Sequence, residues 1–232
     1  MPLPPPEYAV VTGATRGIGL EAARALAARG LDLALFATDH EALEGVAASL
    51  REQAGVRVLA LACDVADEAQ VAQAAATVLA WGAPRAVIAN AGIVRRGAVH
   101  ELAVADFDRV VAVNLRGCFL TARAFLTPML VARRGRFLAV ASISATLGTA
   151  NAAAYNASKW GVVGFVKSLA EELRGTGVQA MALNPGSVDT DMLRGSPYPP
   201  QMGPGDVASF LAYLALDAPD ALHGSAIDMF GS

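Results

Sequence analysis

Short apolar runs recur along the chain: YAVV (Tyr8 to Val11), LALF (Leu33 to Phe36), VRVLAL (Val56 to Leu61), AVIA (Ala86 to Ala89), FLAV (Phe137 to Val140) and VQAMAL (Val178 to Leu183). Between them lie longer stretches with apolar residues at helical spacing: LEAARAL (Leu20 to Leu26), then Leu43, Val46, Ala47 and Leu50, then Val71, Ala74, Ala75 and Val78. Strand and helix therefore alternate. The alternation predicts an α/β fold with a doubly wound parallel sheet, helices on both faces and right-handed crossovers. Ligands of such a sheet bind in the crevice beyond the carboxyl ends of its strands. Neither a linker nor an internal repeat divides the sequence, so residues 1–232 are expected to form one domain. Met1 to Pro6 reads as a loose lead-in, and GSPYPPQMGPG, Gly195 to Gly205, as a surface loop.

Composition changes this picture little. The chain has 232 residues, 54% of them hydrophobic and 17% charged, which is the profile of a globular domain and not of a disordered one. A net charge of −3 offers no basic footprint, so no nucleic-acid partner is expected. Cys63 and Cys118 stand alone, without CxxC or Cys/His spacing, and are expected in the core; neither a disulfide framework nor a metal site is implied. MPLPPP lacks the basic and apolar regions of a secretory signal. The long uncharged stretch Phe137 to Ser158 is too polar for a membrane span, since it contains Ser142, Ser144, Thr146, Thr149, Asn151 and Asn156. A cytoplasmic protein is the expectation.

Two motifs carry chemistry. VTGATRGIG, Val11 to Gly19, packs three glycines between the first strand and the first helix. Glycine there admits positive φ and close approach of a ligand, and a helix opening on the loop favours an anion such as phosphate. An ordinary glycine-rich turn gives the same local pattern. The spacing of Gly13, Gly17 and Gly19 is GxxxGxG, not the commoner GxGxxG. The second motif is YNASK, in which Tyr155 and Lys159, four apart, share one face of a helix.

With NAG at Asn90 to Gly92, Ser142 thirteen residues before Tyr155, and PGSVDT at Pro185 to Thr190, these motifs resemble the short-chain dehydrogenase/reductase family over nearly the whole chain. The resemblance implies a single-domain Rossmann-type fold and an oxidoreductase that moves a hydride between a nicotinamide cofactor and a secondary alcohol or carbonyl. It implies that Ser142 and Tyr155 bind the substrate oxygen, that Lys159 partners Tyr155, and that Asn114 is the fourth catalytic residue, positioning a water that relays protons from Lys159. For the cofactor it implies Gly13, Thr15, Arg16, Gly17, Ile18 and Gly19 at the phosphates, and Thr38 at the end of the second strand. Asp64 and Val65 fall at the adenine, Asn90, Ala91 and Gly92 at the ribose, and Pro185, Gly186, Val188 and Thr190 near the nicotinamide. Ser144, Thr149, Asn151 and Met192 would line a small substrate pocket under a short lid, 191–205. Blander roles stay open: Asn114 as a helix brace, and Asp67 with Gln70 as a helix cap.

Carbonyl reduction leaves negative charge on the substrate oxygen, which calls for a proton donor and a hydrogen bond there. Tyr155 supplies the proton, and a neighbouring ammonium, Lys159, is expected to favour its phenolate. Cofactor choice turns on the second strand. Ala37 stands where NAD sites place an acid, and Arg16 and Thr38 offer groups to an NADP phosphate, so NADP is preferred to NAD. Against that stand Asp39 and a possible Thr38/Glu41 capping box. Arg95 and Arg96 suit a solvated loop or an anionic substrate. The C-terminal DMFGS departs from the family's frequent DGG ending. Non-catalytic cofactor sensing and sugar-nucleotide epimerisation are the alternatives, disfavoured by the complete tetrad and by chain length and loop spacing. The resemblance further implies a homo-oligomer, a tetramer before a dimer, paired through the helices expected at Ala103 to Arg133 and Ala152 to Arg174, and the apolar Val110, Val113, Phe119, Phe165, Val166 and Leu169 on them permit it.

Overall fold

A continuous apolar run, with no alternation of polar residues, marks a strand covered on both faces. In the computed structural model, which describes residues 7–231, β1 (Tyr8–Thr12) is such a strand and is buried at every position. The lead-in Met1 to Pro6 lies outside the described residues. β2 (Asp32–Ala37), β4 (Ala86–Ala89) and β5 (Gly135–Val140) are likewise buried at every position, and β6 (Val178–Pro185) at all but one. With β3 (Val58–Ala62) and β7 (Ala226–Met229) they form one parallel sheet of order β3-β2-β1-β4-β5-β6-β7. The six sequence-derived strands are all present. The seventh is an addition: β7 is only partly buried and carries the exposed Asp228, so it lacks an apolar run.

Helices α1 (Gly17–Ala27), α2 (His40–Ala54) and α7 (Pro204–Leu216) cover one face, burying Leu26, Leu43, Leu50 and Leu211 against Leu33, Leu35 and Ile88. Helices α3 (Glu68–Leu79), α5 (Gly117–Ala132) and α6 (Ala153–Glu172) cover the other, burying Val71, Phe125 and Val166 against Val10, Phe36 and Phe137. A short α4 (Val104–Val111) runs into α5 through one π turn, Ala112–Arg116. Cys63 and Cys118 are free and buried in the core.

Three features of the helices differ from the sequence expectation or settle an open one. The N-cap of α2 is Asp39, whose carboxylate accepts from Ala42 N at 3.0 Å, so Thr38 and Glu41 do not form the cap. A shift of one residue moves Thr38 out of reach of the first-turn N–H groups. Asp67 does cap α3, accepting from Ala69 N and Gln70 N, and the Gln70 amide returns a bond to its carboxylate. The helix α7 begins at Pro204, so the lid is two residues shorter than expected and ends at Gly203.

β1 and β4 are neighbours in the sheet, and the chain leaves β1 through α1 on one face and β4 through α5 on the other. Their carboxyl ends diverge there and leave the crevice that a doubly wound sheet uses for ligands.

Candidate active site

Gly13 follows β1 with φ +68, and Gly17 opens α1 with φ +56, both in the left-handed region where glycine is strongly favoured. Gly19 is required by packing. A Cβ there would collide with the Gly13 carbonyl and come within 2.5 Å of Asn90 Nδ2. That amide donates to the Thr12 and Gly13 carbonyls at 2.9 and 3.2 Å, while Thr12 Oγ1 accepts from Asn90 N and Ala91 N, both at 3.0 Å. Thr12 and Asn90 thus lock the glycine loop to the end of β4. Thr12 escaped the sequence reading because it looks like the last residue of a strand.

The N-terminus of α1 borders the crevice through Ile18 and has no side-chain cap, unlike α2 and α3. Uncapped first-turn N–H groups beside a glycine-rich loop fit the pyrophosphate of a dinucleotide. Thr15 and Arg16 continue this loop, and Arg16 is 78% exposed, with its Nε 3.9 Å from Asp191 of the lid. Beyond β2, Ala37 is buried and Thr38 is exposed. Asp64 pairs with Arg109 at 2.8 Å and accepts from Ala66 N, and Val65 packs beneath Gly117.

A cleft of about 160 Å³ opens from this crevice. Ser142 reaches it from the end of β5, where its hydroxyl caps a short turn by accepting from Ser144 N at 3.1 Å. Tyr155 and Lys159 reach it from consecutive turns of α6. Ser142, Tyr155 and Lys159 therefore meet at one cleft, with Ile18, Asn90, Gly92, Pro185, Gly186, Val188 and Thr190 along its walls. Burial raises the Tyr155 phenol above its ordinary value, while the Ser142 hydroxyl and the charge of Arg96 act in the opposite direction.

Lys159 departs from the expectation. Its ammonium donates to the Val140 carbonyl at 2.8 Å and lies 5.6 Å from the Tyr155 ring centroid. Burial brings its pKa down to about 8. The lysine is thus held by β5 with its pKa lowered by burial, and Ser142 and Arg96 are the groups that offset the desolvation of the phenol. Asn114, in the π turn, is also committed: Oδ1 accepts from Ile93 N at 2.8 Å, and Nδ2 donates to Ile93 O and Ser158 Oγ. It braces the segment after β4 against α6, the blander of its two roles. Only one lone pair of Oδ1 is left for a water.

Among the expected pocket residues Ser144, Thr149 and Met192 line the cleft. Asn151 does not: it is exposed, at φ +59, and its carbonyl accepts from Gly97 N at 2.9 Å. Arg96, Ser187, Ser196 and Tyr198 line the cleft in addition. The last two sit in the proline-rich loop, whose path a sequence does not reveal.

The family pattern described as short chain dehydrogenase matches residues 7–198. The chain is 42% identical over 187 residues to a putative ketoacyl reductase of the granaticin polyketide synthase of Streptomyces violaceoruber, covering 79% of this chain and 68% of that one. It is 39% identical over 187 residues to the D-threitol dehydrogenase of Mycolicibacterium smegmatis, covering 80% and 72%. The crystal structure of an alcohol dehydrogenase from Thermococcus sibiricus complexed with 5-hydroxy-NADP superimposes with a TM-score of 0.87 at 31% identity, covering 96% and 95%. The chain belongs to the short-chain dehydrogenase/reductase family, whose members are NAD(P)-dependent oxidoreductases that interconvert secondary alcohols and carbonyls.

Proposed function

We propose that Tyr155 is the acid/base of this oxidoreductase and that the enzyme works with NADP in preference to NAD. The carrying observation is the convergence of Ser142, Tyr155 and Lys159 on one cleft beside the glycine loop. A bound nicotinamide supplies or accepts the hydride. Tyr155 gives its phenolic proton to the substrate oxygen in reduction, and its raised pKa keeps that proton in place at neutral pH. Ser142 donates a hydrogen bond to the same oxygen, which places the carbonyl against the phenol. Lys159 stabilises the phenolate that develops and exchanges its own proton when its pKa of about 8 is passed. Asn114 keeps the loop after β4 and α6 in register, so that Gly92 stays beside Lys159.

Replacing Tyr155 with Phe removes only the phenolic oxygen. The expected result is a loss of at least about 100-fold in kcat/KM, the contribution of a positioned acid/base, with cofactor affinity nearly unchanged. Activity would be followed over a panel of ketones, aldehydes and secondary alcohols with both cofactors. Retention of more than about a tenth of the rate removes Tyr155 from this role.

The NADP preference rests on Ala37 at the end of β2, on the exposed Thr38, and on Arg16. The Asp39 carboxylate is occupied as the cap of α2, which disfavours it as the ribose acceptor. The NADP derivative bound to the related alcohol dehydrogenase supports the same reading. Its test is the ratio of kcat/KM for the two cofactors in the parent and in Arg16→Ala. A parent that favours NAD, or a ratio unmoved by the substitution, overturns it.

A further inference from the structure

Each arginine among the described residues holds an ion pair or a hydrogen bond, except Arg96. Arg95 beside it turns away to Asp106 at 3.3 Å, and Arg16 and Arg194 both reach Asp191. Even the two arginines without an ion pair, Arg85 and Arg133, donate to the Leu216 and Gly175 carbonyls. Arg96 instead lines the cleft, where the lid meets it from the other side: a Cβ on Gly195 would stand 3.9 Å from its Cδ and Nε. Among the described residues no Asp or Glu lines this cleft, and the other lining cation, Lys159, is committed to the Val140 carbonyl. Arg96, an exposed side chain, thus has no protein partner for its charge at the lid side of the cleft. The glycine loop and α1, where the cofactor phosphates fit, belong to the β1 side.

We propose that Arg96 is a specificity-determining residue that binds the carboxylate of an oxo- or hydroxy-acid substrate whose reacting carbon lies at Tyr155. The assignment rests on the reading of Tyr155 given above. A guanidinium presents two parallel N–H donors that match one carboxylate, whereas a phosphate dianion calls for a second cation that this lining does not have free. Arg96 and Tyr155 line the same cleft, so one short substrate spans the two. Ser196 and Tyr198 supply further hydroxyls on the same loop.

The test measures binding without turnover. Levulinate, oxocyclohexanecarboxylate and acetylbenzoate, each beside its methyl ester, are titrated calorimetrically into protein saturated with oxidised cofactor, which cannot reduce a ketone. At least one acid is expected to bind about tenfold more tightly than its ester, the scale of a charge-assisted bidentate contact. That preference should vanish in Arg96→Gln, return in part in Arg96→Lys, persist in Arg95→Gln and shrink as salt is raised. If no acid outbinds its ester, or if the preference survives Arg96→Gln, the assignment is overturned. Tyr155→Phe keeps the acid preference in this experiment, so a failure of the chemical reading and a failure of this one show up separately.

Discussion

At the scale of single residues, the proposed mechanism makes Lys159 the group that sets the pH response. Its buried ammonium has a pKa lowered to about 8, whereas the Tyr155 phenol is raised by the same burial. For carbonyl reduction the phenol must hold its proton, which it does well above neutrality. The lysine must be charged to stabilise the forming phenolate, and that charge is complete below about pH 7 and lost as pH rises through about 8. Reduction is therefore expected to show a descending limb near pH 8 in kcat/KM, with the tyrosine contributing no ascending limb. Alcohol oxidation, which needs the phenolate, should instead rise with pH. In Lys159→Met the limb near pH 8 should disappear from a much lower plateau. A reduction profile in the parent that stays flat to about pH 10, beyond both the buried and the ordinary lysine value, would remove Lys159 from this role.

The glycine loop is an element whose parts fail together. Gly19→Ala drives a Cβ into the Gly13 carbonyl and the Asn90 amide, so the bonds that tie the loop to β4 must give. The expected cost is about 1–3 kcal/mol of stability together with at least a tenfold loss of cofactor affinity, read by thermal melting and cofactor titration. Gly45→Ala in α2 is the control, because nothing lies within 4 Å of its Cβ position; it should stabilise by about 0.5–1 kcal/mol and leave affinity alone. Melting and affinity unchanged in Gly19→Ala would show that the loop relaxes freely. The same elements explain what a reader of the sequence alone can see. Strands buried on both faces leave unbroken apolar runs, and Tyr155 and Lys159 sit one helical turn apart, so both are legible. The edge strand β7 is half wet and leaves no such run. The lysine's partner is a backbone carbonyl, Val140, and Arg95 and Arg96 point to different places from adjacent positions; neither fact has a side-chain signature.

Assembly is decided at the scale of the whole molecule. Of the six apolar residues expected to exceed what one sheet face can cover, Val110, Val113, Val166 and Leu169 are buried in the core and need no partner. Phe119 does not follow them: it is 43% exposed on α5, with its ring 6.1 Å from that of the partly buried Phe165. Trp160 on α6 is 55% exposed, and Leu130 and Phe107 extend the apolar surface along the α4–α5 run. A second bare region lies at the far end of the sheet. There β7 pairs with β6 alone, and Tyr213 and Phe230 are exposed nearby. Two separate apolar patches, each paired with its own copy about a two-fold axis, give a closed tetramer, whereas one alone gives a dimer. We therefore expect light scattering at micromolar concentration to report a tetramer. Replacing both Phe119 and Trp160 with Glu places charges inside the helical contact and should halve the assembly to a dimer, held by the sheet-edge contact, without unfolding the chain, since neither ring belongs to the buried core. A parent that scatters as a monomer at that concentration, or a double variant that remains tetrameric, would assign these exposed rings to the protomer's own surface and not to an interface.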